Sequence, residues 1–268
     1  MELNWKKFFD ALGMNGTRWQ WKIMNWERKL KQLRRGDFSG IGIEANRIIL
    51  YLNLVLFSLM VIHGVLAGIG FGSLFSPPTP LLLAWGGQFW PAVLEHGQWW
   101  RCLTYAYTHG GLIHLGFNMV VLYQVGPLVE RELGPGRFMV LYTFTALTAT
   151  LAGLLWHANA PVVGASGSLF GLIGFSIVYF HRLGPPGYQL RNFMLQWALF
   201  AFVFGLLVGA DNAGHFGGAV GGALLSLLLP PQGLFRPHLN RLWNALGLLC
   251  AGATLLAVLN LLYVIVTG

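Results

Sequence analysis

The sequence has little charge. Asp, Glu, Lys and Arg make up 10% of its 268 residues, against roughly 25% in ordinary soluble domains. None of these four residue types occurs in five long stretches: 48–94, 102–129, 138–181, 192–210 and 242–268. Because a membrane-spanning helix needs about 20 apolar residues, these stretches predict several membrane helices and exclude an ordinary soluble domain.

The sequence also has few cysteines and shows no recognisable signal peptide. The two cysteines, Cys102 and Cys250, do not make a disulfide framework. The first 35 residues are charged and amphipathic, without the apolar stretch of a cleavable signal peptide. We therefore expect the first span itself to direct translocation.

Basic residues outnumber acidic ones, and the net charge is +8. A nucleic-acid-binding protein is one interpretation of that excess. Basic residues clustered beside a span more often follow the positive-inside rule and contact anionic membrane lipid. We therefore expect lipid, and no nucleic acid, as a partner.

Residues 1–47 form a basic amphipathic segment that we place in the cytosol. Large apolar side chains recur there at steps of four and three, with Lys, Arg and Glu on the other face; the apolar residues are Trp19, Ile23, Trp26, Leu30 and Leu33. This pattern predicts a helix suited to lying on a membrane surface. A small soluble cap or a partner-binding helix is the alternative.

Seven spans are predicted after this segment. They are 48–70, 112–129, 137–157, 166–182, 191–209, 213–229 and 242–266. With the N-terminus in the cytosol, 16 of the 17 Lys and Arg residues lie on the cytosolic side and Arg101 lies opposite, as the positive-inside rule requires. The predicted fold class is an all-α polytopic membrane protein, with a six-span core (48–230) and an additional seventh span (242–266).

Polar groups inside lipid are functional by default, and three polar clusters lie toward the outer leaflet. The first places Ser166 at the start of the fourth span, between Gly164 and Gly167. A serine there can be a simple helix cap. The flanking glycines favour a nucleophile, because they leave room for a base and for a substrate carbonyl group.

The second cluster is His215 at the start of the sixth span, with Gly218 and Gly222 on the same helix face. These glycines allow close packing against the fourth span, so that a hydrogen bond between Ser166 and His215 is feasible, with the imidazole as general base. A packing histidine bonded to a carbonyl group is the alternative. Asp211 suggests a catalytic triad, but we expect it to be a loop residue beside a dyad.

The third cluster is His109, His114 and Asn118, where the second span opens. His114 and Asn118 are four residues apart and share a helix face. Two neutral donors that converge on one point suit an oxyanion hole, which stabilises charge developing on a carbonyl oxygen. A zinc site at the two histidines is the competing interpretation.

Together these clusters resemble the rhomboid family of intramembrane serine proteases, over about residues 48–230. The matching positions are the Trp-Arg pair (Trp100, Arg101), the H-x4-H-x3-N series (His109, His114, Asn118), the acidic residue and glycine after the second span (Glu130, Gly134), the G-x-S-G series (Gly164, Ser166, Gly167) and the H-x2-G-x3-G series (His215, Gly218, Gly222). Each motif alone is weak, but five in this order, on these spans, are specific. The seventh span resembles the six-plus-one form of the family.

The resemblance implies a role for each residue. Ser166 would be the nucleophile, and His215 the general base and then the general acid. His114, Asn118 and the backbone N–H of Ser166 would form the oxyanion hole, and His109 would order and hydrate the site.

The implied reaction is acyl transfer to Ser166 and then hydrolysis, in or near a transmembrane segment of a substrate protein. Phe170 stands where many members have tyrosine, so that stacking on the catalytic histidine remains and a hydroxyl group is lost. Neither a metal nor an organic cofactor is implied.

Rival functions are a catalytically silent rhomboid-like protein that binds membrane helices, and a transporter or channel. The resemblance also favours a bacterial plasma (inner) membrane; the oligomeric state is not predicted.

An aromatic stripe on the fifth span predicts where a substrate helix enters. The stripe consists of Phe193, Trp197, Phe200 and Phe204. The family resemblance places Phe117 of the second span against Trp197, as a lateral gate in front of the dyad. A stripe that simply faces lipid is the alternative.

Overall fold

A computed structural model describes residues 5–34, 44–229 and 237–267. Its α-helices are α1 (Trp5–Ala11), α2 (Gly16–Arg34), α3 (Ala45–Leu66), α4 (Thr79–Ala84), α5 (Trp90–His96), α6 (Arg101–Thr104), α7 (Leu112–Leu133), α8 (Pro135–His157), α9 (Ser166–Arg182), α10 (Tyr188–Val208), α11 (Asn212–Leu228) and α12 (Pro237–Thr267). Short 3-10 helices cover Phe71–Leu74, Tyr105–Tyr107 and Pro185–Gly187. Residues 35–43 of the predicted N-terminal segment, and the predicted end of the core at 230, lie outside the described residues.

The predicted all-α membrane fold is confirmed, and each predicted span corresponds to a helix. By length and composition α3, α7, α8, α10 and α12 are able to cross a membrane. Helices α9 and α11 have 17 residues each, or about 26 Å at 1.5 Å per residue, which is less than the ~30 Å of a hydrocarbon core. Predicted boundaries differ from the observed ones by up to five residues: α7 continues to Leu133 and α12 begins at Pro237. Helix α3 ends at Leu66 and not at 70, and the glycines that follow it, Gly68 and Gly70, take φ values of 81° and 80°.

The predicted N-terminal helix is present as α2. Its contact with a membrane surface stays a prediction.

Helix α9 is the centre of the bundle. It contacts α7, α8, α10 and α11, and 12 of its 17 residues are buried. Its closest neighbour is α11: a Cβ atom at Gly218 would overlap the carbonyl oxygen of Gly167, and one at Gly222 would overlap that of Gly171. The two helices therefore cross backbone to backbone, which only small residues allow.

The loop between α3 and α7 is ordered around Arg101. Its guanidinium group donates to the carbonyl oxygens of Leu83 at 2.6 Å and Gly87 at 2.7 Å, and to the Gln98 side chain at 2.5 Å. It also lies 4.6 Å from the centre of the Trp100 ring. The predicted Trp-Arg motif thus holds the loop together and lies outside the Ser–His cluster.

At the opposite end of the bundle, Glu130 binds the N-terminus of α3. Its carboxylate accepts from the backbone N–H groups of Ala45 at 2.6 Å and Asn46 at 3.0 Å, and from the Asn46 side-chain amide. A negative group is stabilised there by the helix dipole. Gly134, with φ 78°, then separates α7 from α8. This second motif therefore connects the first two spans.

Helix α12 packs on the start of α8. A Cβ atom at Gly247 would lie 2.6 Å from the Cα atom of Gly136. The additional seventh helix therefore attaches to the core through a close glycine contact, away from α9.

Candidate active site

The glycine crossing of α9 and α11 brings Ser166 and His215 together, because each lies in the first turn of its helix. Ser166 Oγ and His215 Nε2 are 2.9 Å apart, which is hydrogen-bond distance. The Phe170 ring stacks on the imidazole, with ring centres 4.2 Å apart and an interplanar angle of 18°. Within the described residues His215 Nδ1 has no hydrogen-bond partner, so the stacking ring is what orients this histidine.

His114 and Asn118 of α7 line the same cavity as Ser166. The backbone N–H of Gly110 donates to His114 Nδ1 at 3.3 Å, which leaves Nε2 as the protonated, donating nitrogen of the neutral ring. Asn118 Nδ2 is buried without a partner among the described residues. Two N–H donors are thus available to a negatively charged oxygen beside Ser166.

Gly164 leaves the space into which these donors point. A Cβ atom there would lie 2.7 Å from His114 Nε2 and 3.6 Å from Asn118 Nδ2. The residue also has φ 122°, a backbone conformation that favours glycine. A side chain at this position would therefore fill the site and strain the backbone.

His109 is buried behind this cluster. Its Nε2 accepts from the Ala165 backbone N–H at 3.5 Å, and its ring meets that of His114 edge-on at 5.2 Å. Burial, and secondarily His114, lowers the pKa of His109 well below its usual range, so that the ring is neutral at pH 7. Both histidines receive backbone N–H groups on a ring nitrogen, an arrangement that fits hydrogen bonding better than the predicted zinc alternative.

A cavity of about 810 Å³ lies in front of Ser166 and His215. Residues of α7, α9, α10 and α11 and the end of α8 line it, together with the segment that leads into α9; they include His114, Phe117, Asn118, Ser166, Phe204 and His215. The predicted nucleophile, base and oxyanion donors thus face one common space, large enough for a peptide segment.

The predicted contact between Phe117 and Trp197 is not the one that the structure contains. The Phe117 ring stacks on Phe204, with centres 4.1 Å apart, and meets Phe200 at 5.5 Å. Trp197 contacts Phe193 and Phe200 instead. Positions 197 and 204 are seven residues apart, about two helical turns or 10 Å along α10, so that Phe117 lies level with the end of the stripe nearer the dyad.

Asp211 has a side-chain partner that the sequence did not predict. The Asp211 carboxylate accepts from His157 Nε2 at 2.7 Å and from the backbone N–H of Gly214 at 2.9 Å. It therefore caps α11 and binds the last residue of α8, not the ring of His215, contrary to the triad alternative. The available signal was a histidine that closes an otherwise apolar span.

Comparison with known proteins gives a consistent result. Residues 96–232, just over half of the chain, match the family model described as the rhomboid domain. The chain is 35% identical over 170 residues to rhomboid protease GluP of Bacillus subtilis, and 29% identical over 209 residues to rhomboid protease AarA of Providencia stuartii. It is also 28% identical over 177 residues to inactive RHOMBOID-like protein 8 of Arabidopsis thaliana.

Coverage differs among these relatives. The aligned part is 61% of this chain and 33% of GluP, 68% of this chain and 72% of AarA, and 63% of this chain and 48% of the Arabidopsis protein. The similarity to GluP and to the Arabidopsis protein thus covers less than half of either relative. From the matched domain, the helical membrane fold and these relatives, we conclude that this chain belongs to the rhomboid family.

Proposed function

We propose that this protein is an intramembrane serine endopeptidase that cleaves peptide bonds in or near the transmembrane segments of other membrane proteins. The observation that carries the proposal is the 2.9 Å separation of Ser166 Oγ and His215 Nε2, in a cavity that two N–H donors also line. A nucleophile, a base and an oxyanion site within one space are what acyl transfer requires.

Each group then has one task. His215 Nε2 takes the proton of Ser166 Oγ as this oxygen attacks the substrate carbonyl carbon. His114 Nε2–H, Asn118 Nδ2–H and the Ser166 backbone N–H stabilise the oxyanion that forms. His215 then gives its proton to the leaving amine, and finally activates the water that releases the acyl group from Ser166.

Substrate access is proposed to occur between α7 and α10. Phe117 and Phe204 line the cavity between these helices. The rest of the aromatic stripe, including Trp197, continues along α10, of whose apolar stretch only 17% is buried. Movement of α10 would open a lateral path for a transmembrane segment. The aromatic stripe then closes the site by contacts worth about 0.5–1.5 kcal/mol each beyond burial.

The proposed setting is a bacterial inner membrane, with the N-terminus in the cytosol and the dyad toward the outer leaflet. The distribution of Lys and Arg supports this orientation. Ser166 and His215 lie at the same end of the bundle, whereas Arg131, Arg137 and Arg182 lie at the opposite end.

The competing function is binding of membrane helices without cleavage, since one relative is named inactive. Labelling with a fluorophosphonate probe separates the two functions. The wild-type protein should be labelled and should cleave, while Ser166→Ala and His215→Ala should each abolish both. Ser168→Ala is the matched control, because Ser168 is buried two residues further along α9 and donates to the carbonyl oxygen of Tyr142; its labelling should persist.

Cleavage by the purified Ser166→Ala protein would contradict the proposal. Quantitative membrane proteomics of cells that carry the wild-type protein or Ser166→Ala should reveal shortened membrane proteins in the wild type. Unchanged proteomes, together with an unlabelled wild-type protein, would favour the binding function.

A further inference from the structure

A polar pair lies at the edge of the active-site cavity without a role in the chemistry described above. His157 Nε2 and Asp211 Oδ1 are 2.7 Å apart, and both residues line the cavity. Three quarters or more of each side chain is buried, with exposures of 25% for His157 and 18% for Asp211. A partly buried carboxylate bonded to a histidine makes a stronger contact than an exposed pair.

Asp211 holds the turn that carries the predicted base. Its carboxylate accepts from the Gly214 backbone N–H, and its carbonyl oxygen accepts from the His215 backbone N–H at 3.0 Å. A helix cap of this kind fixes the first turn of a helix. The position of Asp211 therefore determines where the His215 backbone begins.

His157 connects this turn to the well-packed part of the bundle. It is the last residue of α8, which contacts both α9 and α11. Its ring folds back along α8: a Cβ atom at Gly153 would lie 3.2 Å from His157 Cε1. The imidazole is thus held against α8 while Nε2 reaches Asp211 across the start of α11.

On the other side of Asp211 the chain bends between α10 and α11. Helix α10 ends at Val208, and Gly209 takes the left-handed conformation with φ 66°. Asp211 is two residues further on, between this bend and α11. A displacement of α10 would therefore shift the first turn of α11 unless Asp211 were fixed by a contact with another helix.

We propose that His157 is a positioning residue: through Asp211 it anchors the start of α11 to α8, so that His215 Nε2 stays in line with Ser166 Oγ when α10 moves. This inference rests on the proposed protease function. His157 touches neither the substrate nor the reacting atoms in this role. The His157–Asp211 contact thus keeps a movement of α10, on the access side, from displacing the Ser166–His215 pair.

The test compares variants of the whole chain, with a transmembrane substrate and with a fluorophosphonate. His157→Ala removes the donor to Asp211 and should lower kcat about ten- to hundredfold, the loss expected from a displacement of 1 Å or less. KM should stay within about twofold, and labelling of Ser166 should slow by the same factor as kcat. His157→Gln places an amide N–H within reach of the carboxylate and should restore kcat to within about threefold.

Leu155→Ala is the matched control, because Leu155 is on the same turn of α8 and is 88% exposed; it should not change kcat. If His157→Ala does not fold, His157→Asn replaces it, since this amide is too short to reach Asp211. All rates are compared well below the melting temperature of each variant, so that a loss of stability alone does not alter them.

The inference is overturned if His157→Ala, or its Asn substitute, keeps the wild-type kcat, if only KM rises, or if Gln is as impaired as Ala. A double variant with Asp211→Ala should be no slower than Asp211→Ala alone, because both changes break the same contact; additive losses would also overturn it. Failure of the proposed function has a different signature: cleavage would then persist in Ser166→Ala, or the wild-type protein itself would neither cleave nor be labelled.

Discussion

Helices α10 and α11 both flank α9 but contact it in different ways. Helix α11 crosses α9 at glycines, where a single Cβ atom would overlap the opposite backbone. On α10, only 17% of the apolar stretch is buried, against 56% for α8, and α10 meets the neighbouring helix α7 through large aromatic rings. The proposed reacting groups thus lie at the close crossing, and the more exposed helix α10 faces the proposed access path.

Because of this difference, we expect changes at the α9–α11 crossing and changes on α10 to affect cleavage in different ways. Displacement across the glycine crossing alters the Ser166–His215 distance, which affects every substrate. Displacement of α10 alters access, which affects only substrates that must enter through the membrane. Pairing a transmembrane substrate with a short water-soluble peptide therefore distinguishes the two sides in each experiment below.

The largest effect is expected at the glycine crossing. In Gly218→Ala the added methyl group would overlap the Gly167 carbonyl oxygen, so the helices must separate. We expect activity toward both substrates to fall more than about a hundredfold, with a loss of about 1–3 kcal/mol in stability. Gly252→Ala on α12 is the control, because the described residues leave open space there. Equal activity of both variants would contradict the close crossing.

The next effect concerns the proposed oxyanion donors, which α7 places beside the close crossing of α9 and α11. Asn118→Ala removes the buried Nδ2–H donor and should lower kcat by about 10²–10³ for both substrates, with little change in KM. His109→Ala should act through folding or order of the site instead, and so lower the melting temperature. If Asn118→Ala changes KM alone, Asn118 binds or packs and does not stabilise the transition state.

A smaller effect of opposite sign is expected on the α10 side. Phe204→Ala removes the ring that stacks on Phe117 and should raise cleavage of the transmembrane substrate severalfold, while the soluble peptide is unaffected. Phe202→Ala, on the same helix with 46% exposure, is the control. Joining Phe117→Cys to Phe204→Cys with a short thiol cross-linker should suppress cleavage of the transmembrane substrate. Full activity of the cross-linked protein would move the access path elsewhere.

The smallest effect is expected for Asp211→Asn. The amide oxygen still accepts from Gly214 N–H and His157, so kcat should fall less than about tenfold. Removal of a true triad carboxylate costs about 10⁴ in rate. A thousandfold loss of kcat in a folded Asp211→Asn protein would therefore show that Asp211 orients the His215 ring directly. Asp211 would then be a member of a triad and not only a cap of α11.

The fold was predictable because hydropathy is a local property. Every charge-free stretch contains a helix, and the glycines that follow Ser166 and His215 at steps of three and four mark the helix faces that pack closely. That spacing also made a contact between Ser166 and His215 feasible, because the glycines next to each residue let the two helices approach closely.

Contacts set by the angle between helices were not predictable in this way. Phe117 was paired with Trp197, but the crossing of α7 and α10 sets it two turns further along, against Phe204. The bond between His157 and Asp211 joins residues 54 apart in the chain, and no periodicity relates them. The end of α3 was missed because glycines in an apolar stretch do not alter its hydropathy.

The bond between Glu130 and the start of α3 has a consequence for synthesis. Its partners Ala45 and Asn46 leave the ribosome 85 and 84 residues before Glu130 does. At about 5–20 residues per second, roughly 4–17 s of synthesis separate the two partners. The N-terminus of the first core helix therefore gains its cap only after the second has been made, so that the two helices are synthesised in sequence and joined afterwards.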